Sequence, residues 1–281
     1  MPRHKARKRF GQNFLIDEQI IHQISSLFAT PSAPDQSQRD QSQRDQSQRD
    51  QSQREHALIE IGPGRGALTN ALLKLDVNLT ALELDRDLIP ILQTRFSHHK
   101  HFTIIQGDAL QTDFNEIAQG KPMRLVGNLP YNVATPLIFK LLDSIDNITD
   151  MHFMLQWEVV ARLCAKPGAA HYGQLSVVVQ NLCDVRALFQ VPPTAFSPAP
   201  KVESGFIALT PRAKPLIAKE LHPAFNNLVK TAFAHRRKTI KNNLKGMLSD
   251  VQIEAAGIDP GARAETLSLQ DYATLTTVLA G

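Results

Sequence analysis

A short turn, Asn128-Leu129-Pro130-Tyr131, follows an apolar segment that is predicted to be a strand. The Asn128 side-chain oxygen and the Leu129 carbonyl can both accept from an exocyclic adenine amine, whose lone pair is otherwise delocalised into the ring. These acceptors would localise that lone pair and stabilise the positive charge that develops on alkylation. Pro130 fixes the turn, and Tyr131 offers a face on which an extruded base can stack. The turn therefore predicts methyl transfer to an adenine amine.

A glycine-rich segment, Glu60-Ile-Gly62-Pro-Gly64-Arg-Gly66, follows another predicted strand and opens a helix. Its glycines permit a tight turn and close approach of the backbone to a cofactor. At the ends of the next two predicted strands, the Glu83 carboxylate can accept both hydroxyls of a ribose, and the Asp108 carboxylate can accept from an adenine amine. With Ala67, the segment also satisfies the pattern of dinucleotide enzymes, so it does not exclude an NAD-linked dehydrogenase.

The elements that must position these residues alternate between short apolar strands and amphipathic helices. Strands are predicted at 57–61, 79–84, 103–106, 123–126, 151–155, 175–182 and 205–209, and helices at 17–28, 67–75, 88–96, 136–142 and 159–165. This alternation predicts an α/β fold with a parallel sheet covered on both faces. Beyond prolines 211 and 215, the chain has helical periodicity without a strand. We therefore predict a catalytic domain at 1–209 and a helical, RNA-binding domain at 210–281.

Composition excludes several classes of protein. The chain has 281 residues, of which 42% are apolar and 21% charged, and this is unlike a disordered, collagen-like or coiled-coil chain. No apolar run reaches the length of a membrane span, and no apolar stretch follows the basic N-terminus as in a secretory signal. Cys164 and Cys183 fit a reducing compartment, so a cytoplasmic location is expected. Ligand spacing for a metal is absent around the histidines at 98, 99 and 101, so no metal site is predicted.

Positive charge is concentrated in two segments without an acidic residue, 1–9 and 225–246, although the formal net charge is only +4. One-signed segments on an otherwise balanced chain favour a polymer of phosphates as partner. Arg237, Lys241 and Lys245 follow at four-residue steps, which predicts a basic stripe on a helix that contacts phosphates without reading sequence. The predicted RNA-binding residues are Arg236, Arg237, Lys238 and Lys241.

A low-complexity insertion occupies residues 35–54, where the sequence DQSQR occurs four times. It has no apolar residue with which to join a core, and its charges cancel within each repeat. We expect a solvated segment, disordered or partly helical, between the first helix and the first long strand.

The motifs taken together resemble those of the ribosomal RNA adenine dimethyltransferases, of the type that acts on the small subunit. The matching segments cover nearly the whole chain outside 35–54; they are Arg9–Leu15, Glu60–Gly66, Gly107–Ala109, Asn128–Tyr131, Phe196–Val202 and His235–Asn243. The resemblance implies a Rossmann-like methyltransferase domain followed by a small all-helical domain, with S-adenosylmethionine as cofactor. It also implies N6,N6-dimethylation of two adjacent adenosines in the 3′-terminal hairpin loop of small-subunit rRNA, within the immature 30S subunit. We expect a monomer, since nothing in the sequence indicates an obligate dimer.

Roles for single residues follow from the same resemblance. The implied cofactor-binding residues are Asn13, Leu15, Gly62, Gly64, Glu83, Asp108 and Asn128. Among these, Asn13 and Leu15 would close over the cofactor from the N-terminal segment. Asn128 would touch both cofactor and target. Phe196 would form a second aromatic wall of the target pocket, facing Tyr131. The implied catalytic set is therefore Asn128, Leu129, Tyr131 and Phe196.

Two further alternatives stay open at the level of sequence. The antibiotic-resistance enzymes that methylate large-subunit rRNA share the first four motifs, but the Phe196–Val202 and Arg236–Asn243 segments favour the small-subunit type. A binding protein that serves as an assembly checkpoint on the ribosome is the other alternative. The intact Glu60–Gly66 and Asn128–Tyr131 motifs argue that catalysis is present, without excluding a checkpoint role.

Overall fold

The computed structural model describes residues 12–29 and 56–281. The predicted basic segment at 1–9 and the DQSQR insertion at 35–54 lie outside the described residues. The strands are β1 (Phe14–Leu15), β2 (Ala57–Ile61), β3 (Leu79–Glu83), β4 (Phe102–Gln106), β5 (Met123–Asn128), β6 (Ile148–Gln156), β7 (Cys183–Val191), β8 (Phe196–Ser197) and β9 (Ser204–Pro211). The helices are α1 (Glu18–Ser26), α2 (Ala67–Leu72), α3 (Ile89–Arg95), α4 (Phe114–Ala118), α5 (Ala134–Leu142), α6 (Trp157–Cys164), α7 (Gln174–Leu182), α8 (His222–Ala232), α9 (Ile240–Asn243), α10 (Asp250–Ala255) and α11 (Leu269–Ala280).

Within these ranges, seven strands form one sheet in the order β4-β3-β2-β5-β6-β9-β7. The pairs β2–β3, β3–β4, β2–β5 and β5–β6 are parallel. The predicted α/β fold is thereby confirmed. The chain runs outward from β2 to β4 and then returns to place β5 on the other side of β2. The loops after β2 and β5 therefore leave neighbouring strands in opposite directions, and such a switch point is where α/β sheets bind ligands.

Strands β2 and β5 approach each other closely at their carboxyl ends, where Gly127 pairs with Ile61. A Cβ atom at Gly127 would lie 2.5 Å from the Ile61 carbonyl oxygen, so only glycine fits without moving the backbone. A Cβ at Gly62, the next residue after β2, would lie 3.8 Å from the Asn128 carbonyl oxygen. Gly127 therefore brings the glycine turn and the Asn128–Tyr131 turn side by side.

The N-terminal segment of the described chain is held by a short strand and a capped helix. The Asp17 carboxylate accepts from the Gln19 and Ile20 amides at 2.9 and 3.1 Å, so Asp17 is the N-cap of α1. Strand β1 pairs antiparallel with β8, Leu15 opposite Phe196. Both side chains belong to a buried apolar cluster with residues of α1, α2 and β3. This packing fixes the segment that precedes α1.

Residues 175–182 are not the predicted strand; they lie in helix α7. Nearly every residue of this helix is buried, so its sequence lacks the amphipathic period that marks a helix. Its three successive valines instead match the pattern of a buried strand. The strand at this point of the chain is β7, directly after the helix, and it was not predicted because its buried residues do not alternate. No helix in the described ranges is long and apolar enough to cross a membrane.

The predicted basic stripe on one helix is also wrong. Helix α8 ends at Ala232, and α9 begins only at Ile240, so Arg237 lies in the turn between them. The buried Asn243 side chain holds this turn, since its Nδ2 donates to the carbonyls of Ala232 and His235 at 2.7 and 3.2 Å. Satisfying the last carbonyls of α8 in this way ends the helix before the basic residues.

The chain divides into two compact units. One takes in the residues up to Trp157 together with Leu188–Ala208, and the other takes in Glu158–Ala187 and Leu209–Gly281. The predicted boundary at 209 places residues 158–187 in the catalytic domain, whereas the contacts group them with the second unit. The catalytic and RNA-binding roles of the two predicted domains stay predictions. Within the second unit, the Tyr172 hydroxyl donates to the Leu267 carbonyl at 3.0 Å, and a contact 95 residues apart in sequence leaves no local pattern.

Candidate active site

A cleft of about 220 Å³ opens where β2, β3, β4 and β5 end. Parallel strands end at one edge of their sheet, and so four separate sequence segments meet here. Of the predicted site residues, the cleft is lined by Asn13, Leu15, Gly62, Gly64, Glu83, Asp108, Asn128, Leu129 and Tyr131. The same lining also includes residues that were not predicted, among them Gln12, Phe14, Arg65 and Leu84. Among the residues that the structure describes, no three His, Cys, Asp or Glu side chains are grouped to hold a metal ion.

Glu83 is almost fully buried and fastens the glycine turn. Its Oε2 accepts from the Gly64 amide at 3.0 Å, and its Oε1 accepts from the Asp85 amide at 2.9 Å. Desolvation raises the pKa of this carboxyl, and the two amides partly offset that effect. Each carboxylate oxygen has a further lone pair, so both can still accept from a ribose hydroxyl.

Asp108 organises the loop that follows β4. Its Oδ1 accepts from the Leu110 amide at 2.9 Å, and its own carbonyl accepts from the Thr112 amide and hydroxyl at 2.9 and 2.8 Å. Oδ2 has no hydrogen bond to any described residue. An acceptor that has no partner within 12–29 and 56–281, at the wall of the cleft, suits an adenine amine.

The Asn128 side chain is oriented by the N-terminal segment. Its Nδ2 donates to the Asn13 carbonyl at 2.8 Å. A carbonyl only accepts, so this contact requires the nitrogen of the amide to face Asn13 and leaves Oδ1 as an acceptor for another group. Leu129 is supported from β6, since its amide donates to the Met154 carbonyl at 3.2 Å. The turn is therefore fixed from both sides before any substrate binds.

The Tyr131 ring is held by its own hydroxyl, which lies 2.9 Å from the Ser204 hydroxyl. Ser204 is fully buried at the start of β9, so this contact anchors a half-buried ring to the sheet. Burial raises the pKa of the Tyr131 hydroxyl, and the Ser204 contact lowers it slightly. The ring is neutral at physiological pH and can present its face to an aromatic base.

The Phe196 side chain lies in the apolar core of the structure. Its side chain is only 3% exposed and packs in the apolar cluster with Phe14, Leu15 and Phe28. It does not line the cleft that Tyr131 lines. Pairing of β8 with β1 turns this side chain into the core, and the sequence of a proline-rich loop does not reveal that pairing. Its role as a second aromatic wall stays a prediction.

The four predicted RNA-binding residues lie in the second unit and are all exposed. Arg236 Nη2 donates to the Ala170 carbonyl at 3.1 Å, and Lys241 Nζ lies 3.7 Å from the Asp250 carboxylate. The side chains of Arg237 and Lys238 have no hydrogen bond or ion pair to any described residue. These two side chains are therefore the most accessible to a phosphate backbone.

Glu60 is the first residue of the glycine motif, and the sequence predicts no separate role for it. It is 2% exposed, lines the cleft and accepts from the Thr69 hydroxyl at 2.6 Å. Desolvation is the main cause that raises its pKa from 4.5 to about 7, and the Glu83 carboxylate adds to this rise. An acidic residue in an otherwise apolar strand was the only hint of this group in the sequence.

We expect Glu60 to make the protein less stable as pH rises. Between pH 4.5 and about 7 the folded state holds a proton on Glu60 that the unfolded state has lost, so the free energy of unfolding falls over this window, by about 3 kcal/mol in total. A Glu60→Gln variant keeps an acceptor for Thr69 and removes this dependence. Urea unfolding at a series of pH values measures it. Glu116→Gln, at an exposed site on α4, is the control and should leave the profile unchanged.

Comparison with solved structures identifies the class of fold. The crystal structure of the 23S rRNA methyltransferase ErmE covers 96% of this chain and all of its own, with a TM-score of 0.70 and 22% identity. A dimethyladenosine transferase from Plasmodium falciparum covers 93% of this chain and 95% of its own, with a TM-score of 0.72 and 22% identity. The fold is accordingly the Rossmann-like methyltransferase fold, with an added helical region.

Sequence comparison is more specific. The chain matches "Ribosomal RNA small subunit methyltransferase A" of Saccharophagus degradans at 48% identity, over 99% of this chain and 96% of the relative. The protein of the same name from Methylococcus capsulatus is 47% identical over 99% of both chains. The family model described as ribosomal RNA adenine dimethylase matches residues 3–281. The chain belongs to the ribosomal RNA adenine dimethylase family, which confirms the resemblance found in its motifs.

Proposed function

We propose that this chain dimethylates the N6 amines of two adjacent adenosines in the 3′-terminal hairpin loop of small-subunit rRNA, using S-adenosylmethionine, as a step in small-subunit biogenesis. The observation that carries the proposal is the fixed Asn128 side-chain amide: its nitrogen is bound to the Asn13 carbonyl, and its oxygen remains an acceptor. The backbone of Asn128 lies beside the glycine turn, where a Cβ at Gly62 would be 3.8 Å from the Asn128 carbonyl oxygen. The relatives' name, which specifies the small subunit, favours this substrate over large-subunit rRNA.

The residues of the cleft fit the proposed cofactor. Glu83 would hold the ribose, Asp108 Oδ2 would accept from the adenine amine, and the turn at Gly62 and Gly64 would admit the methionine part. Both glycines have positive φ, and a Cβ at Gly64 would lie only 2.9 Å from the Phe14 ring, so the turn has no room for a side chain at Gly64. When bound, the cofactor supplies a methyl carbon on a sulfonium.

The protein's own contribution is to orient the target amine. Asn128 Oδ1 and the Leu129 carbonyl would accept from the two N6 hydrogens, which localises the nitrogen lone pair and stabilises the charge that develops. Tyr131 would stack on the extruded base. A strong general base is not required, because the alkylated nitrogen becomes acidic and its proton can leave to water.

RNA binding is assigned to the exposed basic residues at 236–241, in the helical unit. We expect an Arg237→Gln variant to bind a small-subunit rRNA hairpin more weakly. The slope of log K against log salt concentration should be smaller in magnitude by about 1, and turnover at saturating RNA should be unchanged. Filter binding at several salt concentrations measures the slope. The control is Lys214→Gln, which removes an exposed charge of the same unit outside this segment. Equal slopes for the two variants would refute the assignment of Arg237.

The proposed substrate is tested by methyl incorporation. Purified protein should label immature 30S subunits with methyl groups from S-adenosylmethionine, and mass spectrometry should locate N6,N6-dimethyladenosine at two adjacent positions. Preferential labelling of large-subunit particles would reject the proposal in favour of the antibiotic-resistance activity. Restoration of subunit assembly by an inactive variant would add a checkpoint role. The proposal includes a monomeric, cytoplasmic enzyme, and sedimentation of the purified chain tests the first of these.

A further inference from the structure

One lysine outside the cleft links the helix after β5 to the loop after β4. Lys140 lies on α5, the helix that begins just after the Asn128–Tyr131 turn, and it is not among the lining residues. Its Nζ donates to the carbonyls of Ala109 and Thr112 at 3.1 and 2.6 Å. The Phe114 ring centroid lies 5.8 Å from the same ammonium. All three contacts fall on the β4–α4 loop, residues 107–113, or on the first residue of α4.

The β4–α4 loop depends on an outside donor for its shape. Its internal bonds converge on Asp108, whose carbonyl accepts from Gln111 and Thr112. The carbonyls of Ala109 and Thr112 are instead satisfied by the ammonium of Lys140. Hydrogen bonds from a charged donor are stronger than those between neutral groups. Removing the ammonium would leave the two carbonyls without this hydrogen-bond donor. The loop also lines the cleft through Asp108 and Leu110, so its shape sets the wall that would meet the adenine.

We propose that Lys140 is a positioning residue for the adenine end of the cofactor. It acts through the backbone of the β4–α4 loop, which places the Asp108 carboxylate, and it touches neither cofactor nor target. The inference rests on the proposed use of S-adenosylmethionine. The proposed role of Lys140 is narrower than general stabilisation of the fold, because it affects only the adenine end of the cofactor. The proposed ribose and methionine contacts come from Glu83 and the glycine turn, and Lys140 contacts neither.

The test removes the ammonium and keeps the hydrocarbon stem, with Lys140→Met. Calorimetry should give dissociation constants about tenfold higher than wild type for S-adenosylmethionine and for methylthioadenosine, which retains adenine and ribose. S-ribosylhomocysteine, which lacks the adenine, should bind both proteins alike. The KM for the cofactor should rise by the same factor, and kcat at saturating cofactor should stay within about twofold of wild type.

Two further variants serve as controls for Lys140→Met. Lys140→Arg restores a charged donor and should recover part of the lost affinity. Lys74→Met, at an exposed lysine of the same unit that has no partner among the described residues, should change nothing. Equal cofactor affinity for Lys140→Met and wild type, or equal weakening of all three ligands, would overturn the inference. If Lys140→Met does not fold, Lys140→Gln takes its place, with the same expected loss at the adenine end. A wild-type protein that binds no S-adenosylmethionine would instead reject the proposed function.

Discussion

An Asn128→Ala variant is expected to lose about two to three orders of magnitude in turnover, the loss that follows removal of one preorganised contact to a developing charge. The reason is local, because the Asn128 nitrogen is bound to the Asn13 carbonyl, which leaves the oxygen as the acceptor proposed for the target amine. Single-turnover transfer of labelled methyl groups to immature 30S subunits, at saturating cofactor and RNA, measures the effect on the chemical step.

The matched control for this experiment is Asn226→Ala, an exposed asparagine on α8 outside the cleft. It should retain full turnover. Circular dichroism must show that Asn128→Ala is folded, since its loss also removes the donor for the Asn13 carbonyl. Turnover within threefold of wild type in a folded Asn128→Ala protein would contradict the role assigned to the amide oxygen.

A Tyr131→Ala variant is expected to lose about 10- to 100-fold in kcat/KM for RNA, from the loss of one base-stacking surface. Affinity for S-adenosylmethionine should change little, because the cofactor contacts proposed above come from other strands. Tyr131→Phe keeps the ring and loses only the contact with the Ser204 hydroxyl, so most of the activity should remain. Steady-state kinetics with varied RNA, together with calorimetry of the cofactor, separates these effects.

Ser204→Ala provides the control for the anchoring of the Tyr131 ring. It removes the same hydrogen bond from the opposite side and leaves the ring in place. Tyr131→Phe, Ser204→Ala and the double variant form a cycle in which the second substitution should add almost nothing to the first. Additive losses would mean that the two hydroxyls act separately.

Much of the site was predictable because it lies where strands end. The motifs at Gly62, Glu83, Asp108 and Asn128 each follow an apolar segment, and parallel strands collect their carboxyl ends at one edge. Local rules also account for helix starts: Asp17 caps α1, and Ser268 forms a capping box with Asp271 at the start of α11. These features depend on neighbours within a few residues.

Other features depend on distant contacts and left no pattern to read. Helix α7 is buried on nearly all sides, so its run of valines matches the pattern of a buried strand. Phe196 is drawn into the core by pairing between two strands of two residues each. Lys140 reaches a loop 28 to 31 residues earlier in the chain, and a lysine on a helix is ordinarily a solvated residue.

The bond between Asn128 and residue 13 is made to a peptide carbonyl, which every amino acid has. Replacing the side chain at 13 would therefore leave that bond available, and alanine scanning would pass over it. Inserting a single residue between Asn13 and β1 would move a different peptide unit opposite Asn128. The spacing of the chain at this point, more than the side chain at 13, therefore keeps a carbonyl opposite Asn128.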